Sequence, residues 1–307
     1  LPVYRRLTAP VRQAGKLVHM HSDGCILDLL DGMAAAGVDM LPPAVGVGVV
    51  RRELTSGGFR GEVVAAGALG AMVAEFDETG GLDPDALDAA VKGPMLGKVV
   101  GVRLHGGLTV ETTLDPNEQG FLHDHQIEGT PVLPGVMGVE AFAELSQLLL
   151  PDWHILAVEN VEFAAPFKFF RAEPRTLTLS ADWRPDGETV VADCRLTGSR
   201  HLPGQSEPQV TTHFTAQVRL GPGSQPAASA EVPPDGADGA VDADAIYQVY
   251  FHGPAYQVLE RAWQHQGSAA ALLNDQLPPN HQPPDLSTLA APRLIESCFQ
   301  AAGVLEL

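Results

Sequence analysis

The chain has 307 residues, 45% of them apolar, and a formal net charge of −19. That length and apolar fraction fit about two globular domains with real cores, and the acidic balance excludes a nucleic-acid binder, which needs basic patches. No stretch reaches the ~20 apolar residues of a membrane span, and no signal-peptide pattern opens the sequence. Cys25, Cys194 and Cys298 are odd in number and far apart, so no disulfide framework is implied and a reducing, cytoplasmic setting is expected.

In chain order, "GKLVHMHSDGCILDLLDGM" reads as a strand at Leu17, Val18 and Met20, a loop at Asp23-Gly24, then an amphipathic helix. His19, His21 and Cys25 match no zinc spacing. The His21-x-Asp23-Gly24 turn is similar to one in uroporphyrinogen decarboxylase-like proteins, and the segment from "GMAAAGVDMLPPAVG" onward resembles the tail of a ketoreductase domain from a multidomain synthase. Residues 1–75 are therefore read as the remnant of a preceding domain, and no Gly-x-Gly-x-x-Gly nucleotide loop is present in them. Residues 76–97 are acidic and rich in turn formers, the pattern of a linker.

Strand patterns follow. "KVVGVRLHGGLTVETTLDP" predicts a hairpin around Gly106-Gly107, and "TLTLSADWR", "TVVADCRL" and "VTTHFTAQVRL" predict three half-buried antiparallel strands. Between hairpin and strands, Val136, Val139, Phe142, Leu145 and Leu149 recur at helical spacing until Pro151 stops the helix. One apolar helix before a long antiparallel meander predicts a sheet wrapped around a buried helix, an α+β hot-dog over residues 98–220. Residues 221–243 are dense in Gly, Pro, Ala and Asp, a second linker. Residues 244–307 then repeat part of the pattern: helix or turn into strand at "AIYQVYFHGPAYQVLERAW", a strand at "AAALLN", and a helix from Pro292. The whole reads as a double hot-dog whose second half lacks its last strands.

Three motifs sit on these elements. His125, Gly129 and Pro134 in "HDHQIEGTPVLPGVMG" have the spacing His-x-x-x-Gly-x-x-x-x-Pro, followed by Gly135. "YFHGPAY" carries Gly253 and Pro254, and "LIESCFQ" places Gln300 four residues after Glu296. Together they resemble the dehydratase domains of polyketide synthases and polyunsaturated fatty acid synthases, over residues 97 to 307. His252 departs from the tyrosine usual in that family before Gly-Pro, and Glu296 stands where the family has aspartate.

Removing water from a 3-hydroxyacyl thioester needs a base for the C2 proton and an acid for the departing hydroxyl. A neutral histidine suits the first task, and a buried carboxyl with a raised pKa suits the second. The resemblance implies His125 as base and Glu296 as acid, facing each other across a shared tunnel. It implies substrate contacts from Gly129, Pro134, Gly135, Tyr250, Gly253, Pro254 and Gln300. The helix start after Pro134-Gly135 favours the developing enolate charge. Glu296 is expected in the first turn of its helix, where the dipole works against a raised pKa. Glu140 on the first helix is the rival acid. Tyr250 alone among Tyr247, Tyr250 and Tyr256 is read as placed for substrate. Gln300 is read as orienting the carboxyl or holding water. Cys298 is expected in the core.

The resemblance further implies a substrate carried on the phosphopantetheine of an acyl carrier protein domain. That domain is tethered in the same polypeptide, because an acidic carrier is repelled at long range by this chain. It implies a homodimeric synthase and no metal or redox cofactor. Double-bond isomerisation or thioester hydrolysis on the same fold, and a non-catalytic structural or dimerisation module, remain open as alternatives.

Overall fold

The computed structural model describes residues 83–90, 93–103, 107–200, 207–223 and 239–304, with the isolated positions 13 and 204. The readings made of residues 1–75 lie outside these, as does most of the second linker. The chain divides into two compact units, residues 1–77 with 185–188, and residues 78–184 with 189–307. Apart from the turn 185–188, everything below belongs to the second.

A short helix α1 (Pro84–Ala90) precedes strands β1 (Lys98–Arg103) and β2 (Gly107–Leu114). The turn α2 (Gly120–His123) and the small hairpin β3 (Gln126–Ile127) and β4 (Thr130–Pro131) lead into helix α3 (Gly135–Leu148). Strands β5 (His154–Phe163), β6 (Arg175–Asp186), β7 (Thr189–Arg200) and β8 (Gln209–Gly221) complete a six-stranded sheet in the order β1-β2-β6-β7-β8-β5. Its neighbours all run antiparallel where their register is defined, as in Leu108↔Ala181, Val110↔Leu179 and Thr112↔Leu177 between β2 and β6.

Alternation explains the sheet. Leu108, Val110, Leu177, Leu179, Phe214, Ala216, Val218 and Leu220 point into one core, while the residues between them are partly or fully exposed. Helix α3 lies against this face, and nearly every residue from Val136 to Leu148 is buried, including the two glutamates Glu140 and Glu144. Gly138 has no side chain because the Phe214 ring of β8 occupies the place of a Cβ. A helix buried on all sides inside a curved antiparallel sheet is the hot-dog arrangement.

The second half repeats the theme with fewer strands. Strand β9 (Val241–Asp242) runs into helix α4 (Ala243–Val249), which Asp242 caps by accepting the Ala245 N–H at 2.9 Å. Strands β10 (Leu259–His265) and β11 (Ser268–Leu273) form with β9 a sheet in the order β11-β10-β9, and helix α5 (Pro292–Val304) packs on β10, β11 and α3.

Four expectations need correction. Strand β5 does not show in the sequence pattern: it is the edge of the six-stranded sheet, its register breaks between Ile155 and Ala157 and between Glu159 and Glu162, and these irregularities erase the alternation that marks its neighbours. Residues 76–97 are not all linker, because 84–90 form α1 and Met95 is fully buried, its N–H donating to Glu144 Oε2 at 3.0 Å. Glu296 is the fifth residue of α5, one turn in from the helix start, so the dipole acts on it less than expected. Cys298 is exposed rather than in the core. Among the described residues no helix is long and apolar enough to cross a membrane.

Candidate active site

His125 sits between α2 and β3, and its position is set by the small hairpin that follows it. Glu128 (φ 52°) and Gly129 (φ 74°) form the two-residue connection of β3 and β4, both left-handed, as a type I′ hairpin requires. Nothing lies within 4 Å of a Cβ at Gly129, so this glycine answers a backbone need and not a crowded contact. The hairpin returns Val132 to His125, whose carbonyl accepts the Val132 N–H at 3.0 Å. The Val132 carbonyl in turn lies 2.7 Å from His125 Nδ1. A carbonyl only accepts, so Nδ1 carries the proton and Nε2 is left with its lone pair. Burial lowers the pKa of His125 below the usual imidazole value, keeping that lone pair free of protons.

The Gly-Pro loop of the second half is fastened to this imidazole by Asp124. Its carbonyl accepts the Gly253 N–H at 2.7 Å and its Oδ2 accepts the Ala255 N–H at 2.7 Å. Gly253 has an ordinary extended backbone, but a Cβ there would meet the Asp124 carboxylate at 2.7 Å. Glycine is required by that close approach. Pro254 opens the 3-10 turn Pro254–Tyr256 that follows. His123, by contrast, turns outward and pairs with Asp124 Oδ1 at 2.8 Å, with its own side chain 70% exposed.

The fastening sets three rings around His125: Phe251 at 5.0 Å, His252 at 5.6 Å and Tyr256 at 6.0 Å between centroids. Phe251 also stacks on His252 at 4.2 Å. His252 reaches onward to α5, its Nε2 lying 3.2 Å from Glu296 Oε1. The gap expected between base and acid is thus bridged by the His252 ring. Two surface cavities, of about 160 and 180 Å³, lie elsewhere, one beside Asn280 and Pro292 and one between β10, β11 and α5.

Glu296 is buried and held from both sides. Gln300, one turn on along α5, donates from Nε2 to Glu296 Oε1 at 2.9 Å and to the Tyr256 carbonyl at 3.0 Å. Tyr247 donates to Gln300 Oε1 at 2.9 Å and accepts the Leu259 N–H at 2.8 Å. Gln300 therefore orients the carboxylate, and its amide is fully occupied in doing so. Tyr250 donates its hydroxyl to the Gln300 carbonyl at 2.9 Å, so it braces α5. The raised pKa expected for Glu296 is not found. Burial alone would raise it, but the hydrogen bonds from His252 and Gln300 outweigh that and hold the carboxyl below its ordinary value.

Glu140 has a different task. Its two oxygens accept the Leu289 and Ala290 N–H groups at 2.6 and 2.7 Å, tying the core helix to the segment that launches α5. Its neighbour Glu144 is pushed up to about 9 by burial and by the Glu140 charge. Pro134 and Gly135 start α3, Pro134 as its cap residue, with the Phe163 ring 2.8 Å from where a Gly135 Cβ would lie.

The His125, Asp124, His252 and Glu296 cluster draws on both halves of the fold, and known proteins match both halves. One family model, described as a polyketide synthase dehydratase domain, matches residues 93–193, and a second, described as a polyketide synthase dehydratase N-terminal domain, matches 225–306. The chain belongs to the polyketide synthase dehydratase family.

The mycoketide-CoA synthase of Mycobacterium tuberculosis H37Rv is 28% identical over 184 residues, which is 57% of this chain and 4% of that synthase. The polyketide synthase GfsA of Streptomyces halstedii is 26% identical over 185 residues, 56% of this chain and 2% of that protein. The chain thus spans only a small part of the large synthases it matches. Among solved structures, the dehydratase domain from the CurF module of the curacin polyketide synthase superposes with a TM-score of 0.53 at 16% identity, covering 68% of this chain and 75% of that one. The PpsC dehydratase domain of Mycobacterium tuberculosis gives 0.51 at 23%, covering 68% and 73%. These likenesses establish the double hot-dog fold for the dehydratase chain.

Proposed function

We propose that this dehydratase chain eliminates water from a 3-hydroxyacyl thioester to give a trans-2-enoyl thioester, during polyketide or polyunsaturated fatty acid synthesis. The substrate would arrive on the phosphopantetheine arm of an acyl carrier protein domain tethered in the same polypeptide, within a homodimeric synthase. The single observation that carries the reading is the His125 imidazole. Its Nδ1 is pinned to the Val132 carbonyl at 2.7 Å, and its Nε2 is free beside a buried pole built on Glu296. Nε2 takes the C2 proton, and the pair of electrons from that bond forms the C2–C3 double bond. The C3–O bond breaks as the hydroxyl receives a proton from the hydrogen-bonded His252–Glu296 pair and departs as water. The reaction changes no oxidation state overall, so the proposal assigns no organic redox cofactor, and it gives the acid and base roles to side chains without a metal. Base and acid each contribute about 10²–10⁴-fold in such catalysis.

The reading is tested with a 3-hydroxyacyl carrier substrate, following loss of one water by mass spectrometry for the native chain and for His125→Ala within the full synthase. Enoyl product from the native protein, reduced at least ~10²-fold in the variant, is the expected result. A free acid or a shifted alkene instead would mean hydrolysis or isomerisation, and undiminished enoyl product from the variant would remove His125 as the base.

A further inference from the structure

His252 has one nitrogen on Glu296 and the other on nothing. Its side chain is 9% exposed, its Nε2 lies 3.2 Å from Glu296 Oε1, and its Nδ1 is buried with no partner among the described residues. A buried polar atom left unpaired costs free energy comparable to a lost hydrogen bond. It is a cost that a substrate group would remove. The ring borders His125 at 5.6 Å between centroids, under the Phe251 ring stacked on it at 4.2 Å. Glu296 Oε1, meanwhile, already receives both the Gln300 amide and His252.

We infer that His252, paired with the Glu296 carboxylate, is the general acid: Nδ1 gives its proton to the departing C3 hydroxyl. The inference rests on the dehydration reading above and assigns the proton within it. In this assignment Nε2–H stays on Glu296 Oε1, 3.2 Å away, and Nδ1 carries the proton that is given. The C2 proton passes to His125 Nε2, the C2–H pair becomes the second C2–C3 bond, and the C3–O pair leaves with oxygen. That oxygen takes the Nδ1 proton and departs as water. One proton has then moved from His252 to His125, and exchange with solvent restores both. The lowered pKa of Glu296 agrees with a carboxylate that stays ionised as the partner of His252. A tyrosine at this position, as the family resemblance would have it, could not play this part as a cation.

The test compares native, His252→Gln, Glu296→Gln and His125→Ala proteins on a 3-hydroxyacyl carrier and on its 3-chloro analogue, whose chloride leaves without a proton. For His252→Gln, turnover of the hydroxyl substrate should slow by about 10²–10⁴-fold with KM little changed, while elimination from the chloro analogue stays near native. Glu296→Gln should lose no more than His252→Gln, and His125→Ala should fail on both substrates. Equal loss on both substrates in His252→Gln would make the residue structural, and a larger loss in Glu296→Gln than in His252→Gln would return the proton to the carboxyl. Either result overturns the inference. If the native chain yields no enoyl product from either substrate, the dehydration reading itself has failed. The pairing is then judged by ¹⁵N NMR of histidine-labelled protein. A His252 with both nitrogens protonated in the native chain and not in Glu296→Gln sustains it, and a neutral His252 in the native chain refutes it.

Discussion

Replacing Glu144 with Gln should remove a pH-dependent weakness from the core. Glu144 is 3% exposed on the buried helix α3, and its carboxyl is pushed up to about 9, first by burial and then by the charge of Glu140 beside it. In the unfolded chain the same group ionises near 4.5. Between those two values the unfolded chain has lost this proton and the folded chain keeps it. The unfolded state therefore binds fewer protons, and stability falls as pH rises, by about 1.4 kcal/mol for each pH unit. At pH 7 that amounts to about 3 kcal/mol relative to acidic solution, a large share of the roughly 5–15 kcal/mol typical of a domain. Gln has the same shape: its carbonyl accepts from the Met95 N–H and its amide donates toward Glu140, replacing the neutral acid without a charge to gain. Urea unfolding of native and Glu144→Gln chains at a series of pH values measures the effect as a difference. Glu296, held below its ordinary range, acts with the opposite sign but is common to both proteins and cancels. The gap between variant and native should widen from near zero below about pH 4 to about 3 kcal/mol at pH 7. A gap that stays constant with pH, or a variant that weakens as pH rises, would refute the argument that Glu144 is folded as the neutral acid.

Three other perturbations probe the same geometry. Asp124→Ala removes the carboxylate acceptor of the Ala255 N–H and its hold on the Gly-Pro loop. Stability should drop by about 1–3 kcal/mol in denaturant melts, and turnover in the dehydration assay by up to about 10²-fold, through displacement of His252 from His125. Tyr256→Phe deletes a fully buried hydroxyl that has no partner among the described residues, so stability should hold or rise by about 1–3 kcal/mol; slower turnover in this variant would instead assign the hydroxyl to substrate. Because burial lowers the pKa of His125 from 6.5, the base stays neutral into mildly acidic solution, and the acidic limb of the pH profile of kcat/KM should fall below pH 6.5.

Much of the fold was legible because its signals are local. Alternation in residues 175–186 and 209–221, helical spacing in 135–148, and Pro292 at a helix start each follow from which face of a short segment meets water. Strand β5 escaped because an edge strand with two register breaks has no clean alternation to read. Residues 93–97 looked like linker because their burial under Glu144 depends on a helix far along the chain, with 49 residues separating Met95 from Glu144.

In the site, the sequence by itself determined which groups were available. His125 with Gly129 and Pro134, the Gly-Pro loop, and Glu296 with Gln300 one turn on are all written in spacing. What each of them does was decided by tertiary contact. Only folding showed that Asp124 fastens the second half to the first, that Glu140 spends both oxygens on Leu289 and Ala290, and that Tyr250 braces α5. The protonation of Glu296 was likewise beyond local reading, since burial pulls its pKa one way and two hydrogen bonds from residues 252 and 300 pull it the other. A pKa is a sum over everything that surrounds a group in space, whereas a motif records only what precedes and follows it along the chain.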